Sequence, residues 1–374
     1  MATGQGATAR PSGVEVTGVH QYDAWQRREM PHVELLRTDL WSIPLPMPES
    51  PLRYVSVYAL AGPGGLTLID AGWGSDEAWT ALKSGLATFG ADVSDIRACL
   101  VTHLHYDHIG LAGRIREASD AWIALHPADQ EVLADPAFRE PHRALPADID
   151  WLVSLGAPRD EAARMRSSSP AYARRAEIVM PDRLIEGGTS VTVRGWQLRA
   201  LHTPGHTPGH LCFVDERTHD LFGGDSLLPR ITPSIGAYRH GGDALGDFLA
   251  SLDTMAAAGL EHVLPAHEWR FRGVDTRTAE IRDHHRDRLR EVVEAVRDHP
   301  GDVPWRLAAR LHWSRPWSEY DGMLRIQAVA ETAAHLVHLC RLGVVAATDE
   351  PVPRYQLPAG PPNTGPPNTR TPER

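Results

Sequence analysis

The sequence has few cysteines and no long apolar segment. Its three cysteines, Cys99, Cys212 and Cys340, stand singly among apolar residues. This spacing argues against a disulfide framework or a thiolate metal site and predicts small buried side chains. No run approaches the roughly 18 apolar residues of a membrane span, and residues 1–13 lack the apolar core of a secretory signal. We therefore expect a soluble cytoplasmic protein.

Positive charge is also limited. The chain holds 38 lysines and arginines against 48 acidic residues, a formal net charge of -10. Such a balance opposes non-specific binding to nucleic acid or to an anionic membrane. With 374 residues, of which 42% are hydrophobic and 23% charged, the chain can bury a large core and contain more than one domain.

The most informative feature present is a cluster of histidines. His103, His105, Asp107 and His108 lie within six residues, directly after the apolar run at residues 98–101. At this density the side chains would repel one another if protonated and would hydrate poorly if buried. A shared cation explains them most simply, because it neutralises and orients all of them. We therefore predict a metal-dependent enzyme.

Strand and helix patterns alternate along most of the chain, which predicts an α/β architecture with helices covering the sheet faces. Helices are predicted from a Ser75 cap to about Phe89 and over residues 109–118. Strands are predicted at residues 32–36, 54–60, 66–69, 96–101, 122–125, 190–193, 196–201, 210–214 and 221–222. The histidine cluster therefore lies at the carboxyl end of a strand.

Four further stretches differ from this main α/β domain of residues 32–274. Residues 1–31 and 349–374 are poor in apolar periodicity and are expected to be disordered. Residues 136–181 contain several prolines and few strand signals. This helical insertion is either a lid or substrate wall or a surface excursion. Residues 275–348 show three helical patterns and a short strand, which predicts a small domain of three helices and a wing.

Three more candidate ligands follow apolar strands. His206 lies in a Gly/Pro-shaped turn, Asp225 follows the strand at residues 221–222, and His267 follows the apolar residues 263–264. Two metals are implied, because a loop can turn one pair of the first cluster toward one ion and the other pair toward a neighbouring position. A carboxylate between two cations can bridge them at about 3.5 to 4 Å.

Together these motifs resemble the metallo-β-lactamase fold superfamily, in the right order over residues 33–269. The resemblance implies a four-layered αββα sandwich that binds two divalent cations, with zinc expected and iron and manganese left open. It implies a metal-bridging hydroxide as nucleophile, which Asp107 can orient, and Asp225 as the bridging ligand. The resemblance also implies that the remaining ligands form two sets of three. One metal would be bound by His103, His105 and His206, and the other by Asp107, His108 and His267.

Supporting roles are assigned with less information. The resemblance implies that Asp70 lies behind the ligands and orients them. His210 could replace His206 as a ligand, but it begins the following strand, so we assign it a supporting or structural role. Two roles are open for Tyr106, Arg230 and Tyr238, which are contact with the substrate and packing within the protein. An ordinary hydrogen-bonding role is favoured for His126, His202, His240, His284 and His285.

The reaction must be inferred from the site, because this fold supports several activities. In the family, true β-lactamases lack the carboxylate that Asp225 supplies, whereas thioesterases, lactonases and nucleases have it. We therefore expect hydrolysis of a thioester, ester or lactone, with a small-molecule acyl substrate that is free or carrier-linked. The oligomeric state is left open, a homodimer included.

A nuclease is the alternative function. The helical end resembles the C-terminal winged-helix-like domain of a glyoxalase II-like or β-lactamase-like subgroup that includes an endoribonuclease. However, residues 270–341 hold thirteen arginines and eleven acidic residues, a balance of only +2. This is poor for neutralising several phosphates. A β-lactamase, a non-catalytic binder and a metal-dependent redox protein are less favoured.

Overall fold

The computed structural model describes residues 13–48, 50–167, 178–239 and 241–358, which form two seven-stranded sheets, a small hairpin and flanking helices. The strands are β1 Glu15–Val16, β2 Glu34–Arg37, β3 Leu40–Pro46, β4 Tyr54–Gly62, β5 Gly65–Ile69, β6 Ile96–Leu100, β7 Trp122–Leu125, β8 Arg183–Leu184, β9 Ser190–Val193, β10 Trp196–His202, β11 Leu211–Asp215, β12 Asp220–Gly224, β13 His262–Pro265, β14 Phe271–Arg272, β15 Ala346–Ala347 and β16 Tyr355–Gln356. The helices are α1 Val19–Arg27, α2 Asp76–Ala87, α3 Tyr106–Ile109, α4 Ala112–Ser119, α5 Pro127–Ala134, α6 Pro136–Arg139, α7 Pro141–Ser154, α8 Arg159–Ser167, α9 Ala244–Ala256, α10 Val274–Asp298, α11 Pro304–Ala308 and α12 Gly322–Arg341.

The two sheets have related but distinct topologies. The first has the order β2-β3-β4-β5-β6-β7-β8 and becomes parallel from β5 onward. The second has the order β1-β14-β13-β12-β11-β10-β9 and is antiparallel except between β12 and β13. Each sheet therefore presents the carboxyl ends of neighbouring parallel strands at one edge.

Apolar side chains from both sheets form the core between them. Tyr58 and Leu100 of the first sheet belong to the same buried cluster as Phe213 and Phe222 of the second. On the outer face of the first sheet lie α2 and α4, and on the outer face of the second lies α9. These layers give the predicted αββα sandwich, which is confirmed.

Helix α2 shows how local sequence signals build an outer layer. The Ser75 hydroxyl accepts a hydrogen bond from the Ala78 amide at 3.1 Å and caps the helix. Ala78, Leu82 and Leu86 recur every four residues and are fully buried against the sheet. Capping and periodicity therefore agree, and the predicted helix is present.

The C-terminal helices pack on the rest of the protein. The Ala237 amide donates to the Ala330 carbonyl of α12 at 3.0 Å, and the Trp305 amide donates to the Leu155 carbonyl after α7 at 2.9 Å. Ile326 joins a buried cluster with side chains of the insertion. The C-terminal part of the described residues thus contains the helices α10, α11 and α12 and the β15–β16 hairpin, and the winged-helix resemblance stays a prediction.

The predictions for both chain ends are partly wrong. Residues 15–27 are not an unpacked arm, because β1 pairs with β14 and Gln21 and Ala24 of α1 are buried. The predicted tail from residue 349 also contains β16, in which Tyr355 is buried and pairs with Ala347. Residues 1–12 and 359–374, like His240, lie outside the described residues.

The structure also describes most of the insertion and all three cysteines. The insertion at residues 136–181 contains α6, α7 and α8, and its residues 168–177 lie outside the described part. All three cysteines are free, with Cys99 and Cys212 buried and Cys340 partly buried. Among the described residues, no helix is both long and apolar enough to cross a membrane.

Candidate metal centre

Loops at the ends of four strands bring the predicted ligands together. The histidine cluster follows β6 and includes the single turn α3, while His206, Asp225 and His267 follow β10, β12 and β13. The first loop belongs to one sheet and the other three to the second sheet. The site therefore lies where the two sheets meet at one edge of the sandwich.

Three histidines form the first group of ligand atoms. His105 Nδ1 lies 3.0 Å from His103 Nε2 and 2.9 Å from His206 Nε2. Three imidazole nitrogens at this spacing could share one cation, and neutral imidazole is a common zinc ligand. We refer to His103, His105 and His206 as the three-histidine subsite.

The second group contains a carboxylate and two histidines. Asp107 Oδ2 lies 3.3 Å from His267 Nε2 and 3.6 Å from His108 Nε2. This mixed nitrogen and oxygen set could also hold a divalent cation. We refer to Asp107, His108 and His267 as the mixed subsite.

Asp225 lies between the two subsites and faces each with a different oxygen. Its Oδ1 is 3.4 Å from His108 Nε2 and 3.3 Å from His267 Nε2, whereas its Oδ2 is 3.5 Å from His206 Nε2. One carboxylate placed in this way can bridge two cations.

Buried polar atoms without hydrogen-bond partners show that these residues suit metal ions. His108 Nε2, His267 Nε2 and Asp225 Oδ1 are all buried, and none makes a hydrogen bond within the described residues. Leaving such atoms unsatisfied costs free energy, and they are expected to have a partner. Since all three converge on one point, a cation there would satisfy them together.

Each histidine that aims Nε2 at a subsite has its other ring nitrogen held. His206 Nδ1 contacts the Ser234 carbonyl at 2.9 Å, and His267 Nδ1 contacts the Tyr54 carbonyl at 3.0 Å. His103 Nδ1 lies 3.0 Å from the Thr102 hydroxyl. Such contacts fix the orientation and tautomer of ligand histidines.

Asp70 contacts the loop that carries the histidine cluster. Its Oδ1 accepts a hydrogen bond from the Thr102 amide at 2.7 Å, and its Oδ2 lies 2.8 Å from His108 Nδ1. The residue has a left-handed φ of 63°, which is uncommon outside glycine. The turn after β5, with its left-handed backbone, thus places one carboxylate against both the Thr102 amide and the His108 ring.

His210 supports Asp225 instead of joining a subsite. Its Nε2 accepts a hydrogen bond from the Asp225 amide at 3.2 Å, so its Nδ1 carries the proton of the neutral ring. Nδ1 faces the hydroxyls of Thr203 at 2.8 Å and Ser226 at 3.0 Å. The supporting role of His210 stays a prediction, and these contacts place its ring behind Asp225.

The two subsites differ in their electrostatics. Burial and neighbouring histidines lower the pKa of His103 well below its usual value, and lower that of His105 to about 3. In the mixed subsite burial also acts to lower the pKa of His267, but Asp225 and Asp107 outweigh it and raise the value to about 10. The first subsite is therefore neutral at pH 7, whereas the second holds positive charge in the absence of a metal.

Two of the three candidates for substrate contact have side-chain partners elsewhere in the structure. The Tyr106 hydroxyl donates to the Gly74 carbonyl at 2.8 Å, which accounts for this residue by packing. Arg230 Nε donates to Glu268 at 2.8 Å, and its guanidinium lies over the Trp25 ring at 4.8 Å. Burial raises the pKa of Tyr238, a partly buried residue on the loop that also supplies Ser234.

Other histidines pair outside the two subsites. The rings of His126 and His202 stack with centroids 4.0 Å apart, and His285 Nδ1 lies 3.2 Å from His335 Nε2 between α10 and α12. The backbone carbonyls of Ser234 and Tyr54, which hold ligand histidines, were not predicted. They leave no signal in the sequence, because any residue type supplies a carbonyl.

The fold and the site together define a metallo-hydrolase built on an αββα sandwich. The family model of the metallo-beta-lactamase superfamily matches residues 50–267, and the chain belongs to that superfamily. It is 28% identical over 276 residues to the probable metallo-hydrolase YqjP of Bacillus subtilis, covering 70% of this chain and 82% of that protein.

Two further proteins show the range of the similarity. The acyl-coenzyme A thioesterase MBLAC2 of Homo sapiens is 25% identical over 171 residues, which is 45% of this chain and 54% of that protein. The crystal structure of the metallo-beta-lactamase family protein TTHA1429 from Thermus thermophilus superposes with a TM-score of 0.74 at 29% identity. That match covers 87% of this chain and 100% of TTHA1429, so the likeness extends beyond residues 50–267.

Proposed function

We propose that this protein is a dinuclear metal-dependent hydrolase of thioesters, esters or lactones, with an acyl thioester as the preferred substrate class. The observation that carries the proposal is Asp225, whose two carboxylate oxygens face different groups of ligand atoms at 3.3 to 3.5 Å. Such a bridging carboxylate is what a two-metal hydrolytic site needs.

The chain's own residues supply binding and orientation. The three-histidine subsite and the mixed subsite would each hold one divalent cation, with zinc favoured by the nitrogen and carboxylate ligands. When bound, the two cations lower the pKa of water toward about 7 and polarise the carbonyl that is attacked. Asp107, whose side chain is 15% exposed, is placed to orient the attacking water.

The reaction is ordinary thioester hydrolysis. A bond forms between the water oxygen and the carbonyl carbon, and the carbon–sulfur bond breaks. The products are a carboxylate, a thiol and one proton. Asp70, through His108, and His210, through the Asp225 amide, keep the reacting geometry fixed.

The substrate class rests on two further arguments. MBLAC2 is named as an acyl-coenzyme A thioesterase, and 171 residues of this chain are 25% identical to it. The net charge of -10 and the nearly balanced C-terminal helices oppose binding to a nucleic acid backbone. An acyl substrate therefore fits better than RNA.

Steady-state assays on zinc-loaded protein would test the proposal. Panels of acyl-CoA esters, acyl-glutathione, simple esters and lactones would be compared with single-stranded RNA. We expect turnover of a thioester that disappears in Asp107→Ala, while Asp39→Ala on the distant surface keeps it. Cleavage of RNA with no turnover of any acyl substrate would overturn the proposal.

A further inference from the structure

Helix α5 places a buried carboxylate behind the site although it supplies no ligand. Asp129 is fully buried in the first turn of this helix, on the same face as Leu133. A buried carboxylate is costly unless it is well hydrogen-bonded. Its contacts therefore indicate what it does.

Asp129 accepts hydrogen bonds from both loops that carry the three-histidine subsite. Its Oδ2 accepts from the Leu104 amide at 2.9 Å and from the Thr207 hydroxyl at 2.9 Å. Its Oδ1 accepts from the Gly209 amide at 2.6 Å. Leu104 separates His103 from His105, and Thr207 follows His206, so the donors are direct neighbours of the ligands.

We propose that Asp129 is a positioning residue that joins the loop after β6 to the loop after β10 and so sets the geometry of the three-histidine subsite. The inference rests on the proposed metal-dependent function. It assigns to the three-histidine subsite a supporting carboxylate comparable to the one that Asp70 provides for His108.

The close approach of the second loop to Asp129 depends on a glycine. A Cβ atom added at Gly209 would lie 2.5 Å from the Asp129 amide nitrogen and 2.7 Å from Asp129 Oδ1. The backbone of Gly209 does not have a left-handed φ, so the requirement is for space and not for conformation. The contact between helix α5 and the loop after β10 therefore depends both on the carboxylate of Asp129 and on the absence of a side chain at Gly209.

The chemistry of the contact requires an acceptor on both carboxylate oxygens. All three donors are neutral N–H or O–H groups, and the two amides cannot accept a hydrogen bond. An asparagine at this position would turn its NH₂ group either toward the Gly209 amide or toward the Leu104 amide and the Thr207 hydroxyl. Asp129→Asn therefore keeps the volume of the side chain, but at least one hydrogen bond to the ligand loops is replaced by two donors that face each other.

Zinc-binding calorimetry on the full-length protein would test the role, with cobalt absorption spectra reporting the ligand geometry. In Asp129→Asn we expect about a 10- to 100-fold loss of affinity at the three-histidine subsite, as for other residues that support metal ligands. The mixed subsite should keep its affinity. Gly209→Ala should cause the same loss by pushing the loop away from helix α5.

A matched pair and an unrelated buried carboxylate serve as controls. Thr207→Val removes one donor and should weaken zinc binding to a smaller extent, and Thr207→Ser should restore it. Asp215→Asn alters a fully buried carboxylate that binds Arg37 and Arg217, at the opposite end of β11 from the site. It should lower the melting temperature without changing zinc affinity.

The outcomes separate this inference from the proposed function. If the wild type binds two zinc ions and Asp129→Asn and Gly209→Ala bind them equally well, the positioning role is refuted and the hydrolase proposal stands. The same holds if Asp129→Asn only lowers the melting temperature, as Asp215→Asn does. If the wild type binds no divalent metal, both proposals fail.

Discussion

Metal binding to the mixed subsite should release protons, because its two histidines are charged in the metal-free protein. His108 Nδ1 lies 2.8 Å from Asp70, and its Nε2 faces Asp225 at 3.4 Å. Burial opposes the charged form, but Asp225, Asp107 and Asp70 together raise the pKa of His108 well above its usual value. The pKa of His267 is raised to about 10 by the same competition.

The size of the effect follows from the number of protons. A metal can bind only the neutral imidazoles, so each ion entering the mixed subsite must displace about two protons. Each proton contributes about 1.4 kcal/mol per pH unit. Affinity at the mixed subsite should therefore fall about 10,000-fold between pH 8 and pH 6. The three-histidine subsite should change little, since the pKa values of its histidines are lowered.

Calorimetry in two buffers of different ionisation enthalpy measures the protons released. At pH 6, which is below the pKa of about 7 of a metal-bound water, the histidines should be the main source. We expect close to two protons for the mixed subsite and close to one in His267→Gln. Equal affinity at pH 6 and pH 8, with no proton release, would refute the assignment of charge to this subsite.

Three other predictions follow from the same contacts. Asp225→Asn should lower thioester hydrolysis about 100-fold or more, measured by steady-state kinetics, and should abolish binding of one of the two zinc ions, measured by elemental analysis. A variant that keeps both zinc ions and the wild-type rate would contradict the bridging position of Asp225. Asp70→Asn should weaken zinc binding about 10- to 100-fold by loosening His108 and Thr102, measured by competition with a chelating dye, and unchanged affinity would argue against that role. Ser75→Ala should cost about 1 kcal/mol of unfolding free energy in urea by removing the cap of α2, while hydrolysis continues at the wild-type rate; a large loss of activity would show that this helix has another role.

Where local patterns were strong, they located the helices and strands well. The capped, periodic α2 and the strand at Trp122–Leu125 match their predicted positions closely. The predicted ligands also come together, because the strands before them end at the same edge. Strand β3 was not predicted, since Pro44 and Pro46 lie within it. These prolines are tolerated because β2 pairs with β3 only as far as Ser42.

Contacts distant in sequence account for the remaining differences. Strand β1 has two residues and exists through its pairing with β14, some 255 residues later in the chain, so periodicity could not reveal it. Tyr355 is buried in the predicted tail because it packs near Leu307 and Leu339 in the C-terminal cluster. Asp129 left one weak signal, an acidic residue four positions before Leu133 on the buried face of its helix. Its donors belong to two loops whose proximity only the fold determines.

The most direct test of a two-metal site bridged by Asp225 is anomalous diffraction at the zinc edge from crystals of the zinc-loaded protein. We expect two peaks about 3.5 to 4 Å apart, one at the three-histidine subsite and one at the mixed subsite, on either side of the Asp225 carboxylate. A single peak at full zinc loading, or two peaks that Asp225 does not join, would contradict the dinuclear site.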